Sequence, residues 1–185
     1  MDDQAIGPDG AMVQFRALSA EDDLDSSVGL FVECFFHDKY YDGMYPDEDS
    51  MRDDFRRYFA WMLENGCGIG AFHDGELVGE TVSFPMRSLD EQMFIDFFGE
   101  EGCLHDEMSR HMDSVFLFDI CVSERFRGNG VASRLFDMAL TDGQSYIGDT
   151  TGDISREMCL RRGFKIEKMQ DGNDWWHKAI KERVK

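Results

Sequence analysis

The stretch FLFDICVSERFRGNGVASRLFDMAL, Phe116 to Leu140, decides how the rest of the chain is read. The run from Ser114 to Val122 is almost wholly apolar with one charge, Asp119, which predicts a central strand buried on both faces. Gly128 and Gly130 follow among Arg125, Arg127 and Arg134, and a helix is predicted from about Asn129 to Leu140. A strand, a glycine turn and a helix start make an anion site, because the first N–H groups of a helix have no intrahelical acceptor. Glycine lets an anion approach those amides closely. The spacing is neither GxxxxGK[ST] nor GxGxxG, so a nucleotide P-loop or a dinucleotide fingerprint is not indicated.

Around this basic turn the chain is acidic: 185 residues carry 38 Asp and Glu against 19 Lys and Arg, a formal net charge of -19. Such a length fits one domain. The charge argues against general nucleic-acid binding, which needs a basic face, and favours cationic partners. Five cysteines, Cys34, Cys67, Cys103, Cys121 and Cys159, are odd in number and contain no CxxC pair. That pattern fits reduced thiols in the cytoplasm, with neither a disulfide framework nor a zinc site. His105 and His111 stand six apart, off a common helical face, so no metal is expected. No leader-like or membrane-spanning apolar run is present, so no membrane partner is expected either.

Working outward, residues 1–11 are expected to be a flexible tail and 12–185 the domain. Met12–Leu18 alternates as a strand, and Ser19 is a plausible cap for a helix through LDSSVGLFVECFF. A polar break holding Tyr40, Tyr41 and Tyr45 precedes a second helix begun by Asp47 or Ser50. Two β-prone runs flank His73-Asp74-Gly75, a strong hairpin signal. Residues 86–113 read as an inserted segment of one or two short helices. SYIGDTT suggests a strand, DISREMCLRRGF a helix closed by Gly163, and FKIEKM and DWWHKAI two closing strands around QDGND.

The stretch from Phe116 to Leu140 resembles the acetyl-CoA-binding core of the Gcn5-related N-acetyltransferase (GNAT) family, whose hallmark is R/Q-x-x-G-x-G/A. Here it is carried by Arg127, Gly130 and Ala132. REMCLRRGF resembles the family's fourth helix and closing GF, and DGELVGETVSF the hairpin of its second and third strands. The resemblance implies a single-domain α/β fold with a mixed, splayed central sheet flanked by helices, and acetyl-CoA as acyl donor. It implies that amides from Gly128, Asn129, Gly130, Val131, Ala132 and Ser133 hold the diphosphate. Arg127, Arg134, Arg161 and Arg162 are then candidates for the phosphates, and the backbone of Ile120, Cys121 and Val122 for the pantetheine arm.

An alkylamine is almost wholly protonated at neutral pH, so acyl transfer to it needs a base, and the departing thiolate benefits from an acid. Many family members place a tyrosine acid four residues before the GF glycine; here that position is Cys159. Asp119 resembles an acidic position of members acting on polyamines and is the expected base, with Glu80 a further candidate. The implied activity is N-acetylation of a primary amine on a small cationic molecule. The alternatives are a non-catalytic acyl-CoA-binding module and a protein N-terminal or lysine acetyltransferase. A homodimer is compatible with the sequence.

Overall fold

The computed structural model describes residues 5–38, 41–150, 152–171 and 174–183. The first four residues of the expected tail, Tyr40, and residues 172–173 of the expected QDGND segment lie outside them. The strands are β1 (Gln14–Ala17), β2 (Cys67–His73), β3 (Glu76–Pro85), β4 (Val115–Val122), β5 (Tyr146–Thr150), β6 (Lys165–Asp171) and β7 (Asp174–Lys181). The helices are α1 (Leu24–Phe35), α2 (Glu48–Asn65), α3 (Glu91–Phe98), α4 (Cys103–Met108), α5 (Val131–Ala139) and α6 (Asp153–Arg161). The strands form one mixed α/β sheet in the order β1-β2-β3-β4-β5-β7-β6, with β4 and β5 parallel.

Two compact units divide the chain. The first comprises residues 1–83 and 119–140. In it β1, β2 and β3 pair antiparallel, and β2 turns into β3 through Asp74 and Gly75, both at positive φ (52° and 85°), the left-handed pair that a tight hairpin needs. Its core joins Ala5 and Val13 to Ile69, Ala71, Val78, Val122, Phe126, Val131 and Leu135. The stretch expected as a tail thus supplies Ala5 to the core, and the Val13 amide donates to the Ala5 carbonyl at 3.0 Å.

In the same unit α1 packs on α2 through Phe31, whose ring centroid lies 4.4 Å from Phe55 and 5.3 Å from Phe59. Full burial of such a side chain is worth roughly 1.5–3 kcal/mol. Of the two expected starts, Asp47 caps α2 by accepting from the Ser50 amide at 2.8 Å, and Ser50 lies within the first turn. The expected cap Ser19 does not start α1, which begins at Leu24. Ser19 instead stabilises a preceding turn by accepting from the Asp22 amide, while buried Asp23 is committed to Arg16 at 2.7 and 2.8 Å.

The second unit comprises residues 84–118 and 141–185. Residues 86–113 form α3 and α4 flanked by short 3-10 turns. Phe84 stacks 5.3 Å from Phe97 and 5.4 Å from Phe116, and Phe98 lies 5.3 Å from Phe116. β4 meets β5 through Val115 and Phe116, and β7 lies between β5 and β6.

Candidate active site

The site is built on neighbouring strands and one helix of the first unit. Glu80 stands on β3 opposite Gly70 of β2 and is 0% exposed. Asp119, at 6% exposure, stands on β4 and replaces part of the sheet ladder with its own side chain. Its Oδ1 accepts from the Val82 amide at 2.7 Å, while its carbonyl accepts from Thr81 Oγ1 at 2.7 Å. Cys121, two residues on and therefore on the same strand face, donates to Asp119 Oδ2 at 3.4 Å. One ligand atom each of Glu80, Asp119 and Cys121 lies within 4.8 Å of the others.

Neither Glu80 oxygen has a hydrogen-bond partner among the described residues, and neither does the buried Ser27 hydroxyl of α1. Burial, reinforced by Asp119, pushes the Glu80 carboxyl well above the usual carboxylate range; Ser27 lies near enough to offset this slightly, outside hydrogen-bonding geometry. Burial likewise raises Asp119 to about 7, against the opposing bonds from Val82 and Cys121. Two carboxylates this close in a dry site cannot both ionise, so the pair shares a proton at neutral pH. The arrangement is a proton-holding site poised to accept a second one.

Beyond Val122 the chain enters the glycine turn. Gly128 and Gly130 both adopt φ 80°, and Gly130 forms the left-handed cap from which α5 starts at Val131. A Cβ at either glycine would meet nothing within 4 Å, so backbone conformation rather than crowding demands glycine here. The space before the first turn of α5 is therefore open to an anion. Arg127 is anchored: its Nε donates to the Val122 carbonyl at 2.9 Å, tying the turn to the end of β4. Arg134 is exposed on α5.

A model of the acetyltransferase (GNAT) family matches residues 30–164. The chain belongs to the GNAT acetyltransferase family. Among curated protein sequences no relative matches. Solved GNAT structures share the fold. A histone acetyltransferase HPA2 and related acetyltransferase from Corynebacterium glutamicum is 19% identical, with a TM-score of 0.66 over 94% of this chain and 97% of that one. The Drosophila melanogaster polyamine N-acetyltransferase, which forms N-acetylagmatine, is 12% identical with a TM-score of 0.67, covering 91% and 99%. A mosquito arylalkylamine N-acetyltransferase-like protein is 12% identical with a TM-score of 0.65, covering 91% and 99%.

Within this GNAT fold, Glu80 and Asp119 come together as one cluster. Cys159 belongs to α6 of the other unit, where burial pushes its thiol up to about 11. Arg161 and Arg162 also belong there: Arg161 pairs with Glu157 at 2.5 Å, and Arg162 Nη1 donates to the Met158 carbonyl at 3.1 Å. Sequence reasoning missed Ser27 and Cys34. Both sit on α1, seven residues apart and so on one helix face, and Cys34 Sγ approaches the Val122 carbonyl at 3.6 Å. No local signal marks either residue, since α1 also carries Asp25, Ser26 and Glu33. No helix among the described residues is long and apolar enough to cross a membrane.

Proposed function

We propose that the protein N-acetylates the primary amine of a small cationic molecule, with acetyl-CoA as donor, in the cytoplasm. The observation that carries this reading is the buried carboxyl pair, which can take the proton an ammonium must lose. The residues before α5 fit the donor: the two left-handed glycines leave an open approach to helix N–H groups, which suits a diphosphate. Amides from Gly128 to Ser133 hold it there, Arg127 and Arg134 supply positive charge, and the backbone of Ile120, Cys121 and Val122 lines the pantetheine arm. When bound, acetyl-CoA supplies an activated acyl carbon.

In this chain Glu80 keeps its proton, and Asp119 Oδ2 is the acceptor for the amine's proton, directly or through one water. Asp119 is titrating near 7, so it is competent as a base at neutral pH without a large energetic penalty. The net charge of -19 raises the local concentration of cations, and the five free thiols suit a reducing compartment. The test has two arms. Calorimetry should show CoA binding to the wild type and none to Gly130→Glu, which puts a strained, like-charged side chain at the turn. Thiol release against an amine panel should then favour cationic acceptors. A wild type that binds no CoA, or that modifies only acidic or neutral acceptors, overturns the reading.

A further inference from the structure

The anion turn before α5 is built from backbone, and its two glycines carry no side chains to hold it in shape. A turn of that kind binds tightly only when neighbouring groups fix its conformation beforehand. One such group is Arg127, whose Nε reaches the Val122 carbonyl. A second comes from residues that the sequence alone presents as a tail.

Residues 5–13 fold back as a small hook. The Gly7 amide donates to the Ala11 carbonyl at 2.7 Å, Ile6 and Met12 form an antiparallel bridge, and Asp9 Oδ1 accepts from the Ala11 amide at 3.0 Å. The same oxygen lies 3.0 Å from Nε2 of His73, the last residue of β2. The Ala11 amide first, and then His73, hold the Asp9 carboxyl below the usual carboxylate range, so Asp9 is the acceptor and Nε2 carries the proton. Asp74 Oδ2 stands 3.7 Å from Nδ1, beyond hydrogen-bonding reach. The hook backbone abuts the ring so closely that a Cβ on Gly7 would lie 2.9 Å from His73 Cδ2. His73, 7% exposed, packs its ring against Phe126 with centroids 5.0 Å apart. Phe126 is buried, ends the short 3-10 turn Glu124–Phe126, and immediately precedes Arg127.

We propose that His73 is a positioning residue for the acyl donor: Asp9 orients its ring, the ring fixes Phe126, and Phe126 sets the backbone of the anion turn. The role rests on that turn holding the donor's diphosphate. The hook is then part of the donor site without touching the donor. Loosening it lets Phe126 and the glycines after it sample other conformations, and affinity falls with the fraction of molecules that are ready to bind. The carboxyl pair is untouched, so turnover with saturating donor stays the same. The loss falls on phosphate-bearing donors alone.

The experiment compares the full chain with Asp9→Ala, Asp9→Asn and His73→Ala, using as donors acetyl-CoA and S-acetylpantetheine, which lacks the phosphates. Asp9→Ala should raise the KM for acetyl-CoA and the calorimetric Kd for CoA about fivefold, and His73→Ala about tenfold, with kcat and the amine KM unchanged. Asp9→Asn keeps an acceptor oxygen and should behave as the wild type. With S-acetylpantetheine, kcat/KM should be the same in all four proteins. Hydrogen exchange of the amides from Arg127 to Ser133 in the free protein should quicken in both alanine variants. Equal CoA affinity in the wild type and Asp9→Ala with unchanged exchange, or a loss shared equally by both donors, overturns the proposal. The Asp9 side chain is 54% exposed, so Asp9→Ala decides the matter even where His73→Ala fails to fold. In a wild type that binds no CoA, faster exchange in Asp9→Ala supports the brace while the donor assignment of the turn falls.

Discussion

Glu107 and Glu80 are both acidic side chains with almost no exposure, at 8% and 0%, yet their surroundings are opposite. Glu107, on α4, is ringed by partners: the cations Lys178 and Arg110, the latter at 2.9 Å, and the His111 ring at 3.1 Å, with Lys178 also reaching Glu167 at 2.9 Å. Lys178 foremost, with His111, holds the Glu107 carboxyl below its usual range. Glu80 has no hydrogen bond among the described residues and is pushed the other way. A buried acid that is fully paired fixes a structure; one left unpaired keeps a proton available. The difference separates a residue that builds the fold from one that the chemistry can use.

The sharpest way to break the paired site is Lys178→Ala. It removes Glu107's main counterion, leaving the more exposed Arg110 and the His111 ring, and should cost about 3 kcal/mol, read from the urea midpoint, because a buried charge loses its buried partner. The double variant Lys178→Met with Glu107→Gln should recover most of that loss. The two sites should also lean oppositely with pH. Glu107's lowered value adds stability that is present above about 4.5 and is lost as pH falls through its folded value. Asp119's raised value of about 7 means the folded state holds its proton more tightly. That contribution is complete below about 4 and lost as pH climbs through about 7. Asp119→Asn should flatten the second slope and leave the first in place.

Next in size, Asp119→Asn should lower turnover about 100-fold, or about 2.7 kcal/mol of barrier, with CoA affinity nearly intact. Full turnover in that variant would shift the base to Glu80 or to water. Cys159→Ser should cost less than about tenfold, since a thiol held near 11 is a weak contributor and a departing thiolate leaves without full protonation. A dead Cys159→Ser enzyme that still binds CoA would make that sulfur central. Smallest of all, Glu80→Gln exchanges a neutral acid for a neutral amide. Below pH 7 it should shift stability by no more than about 0.5 kcal/mol, whereas above pH 8 it should be the more stable protein.

Much of this was legible in the sequence because its signals are local. The Asp74-Gly75 turn, the Asp47 cap, the apolar run around Asp119 and the glycines at 128 and 130 each announce their own backbone, and each is found where it was expected. The cluster around Asp119 was only half legible. Periodicity shows that β4 is buried, but nothing local says that Glu80 faces Asp119 without a counterion, because that depends on register between strands. Cys34 was invisible for the same reason: its partners are an arginine and a carbonyl far along the chain. Ser19 misled because a serine that caps an isolated turn looks, in sequence, like one that caps a helix. Its neighbour Asp23 was already held by Arg16.

The contact between Thr81 and Asp119 joins residues 38 apart, while the hairpin that carries Glu80 closes through two. Local closures form in microseconds, and distant pairings wait for the chain to come together. The hairpin is therefore expected to close while Glu80 is still in water, its burial following when α1 and β4 pack against it. The cost of an ionised Glu80 falls on that late docking step and not on hairpin closure. Stopped-flow refolding should slow as pH rises for the wild type and slow less for Glu80→Gln, the remainder belonging to Asp119, so that the same carboxyl bears both on when the last strand docks and on what it can do once docked.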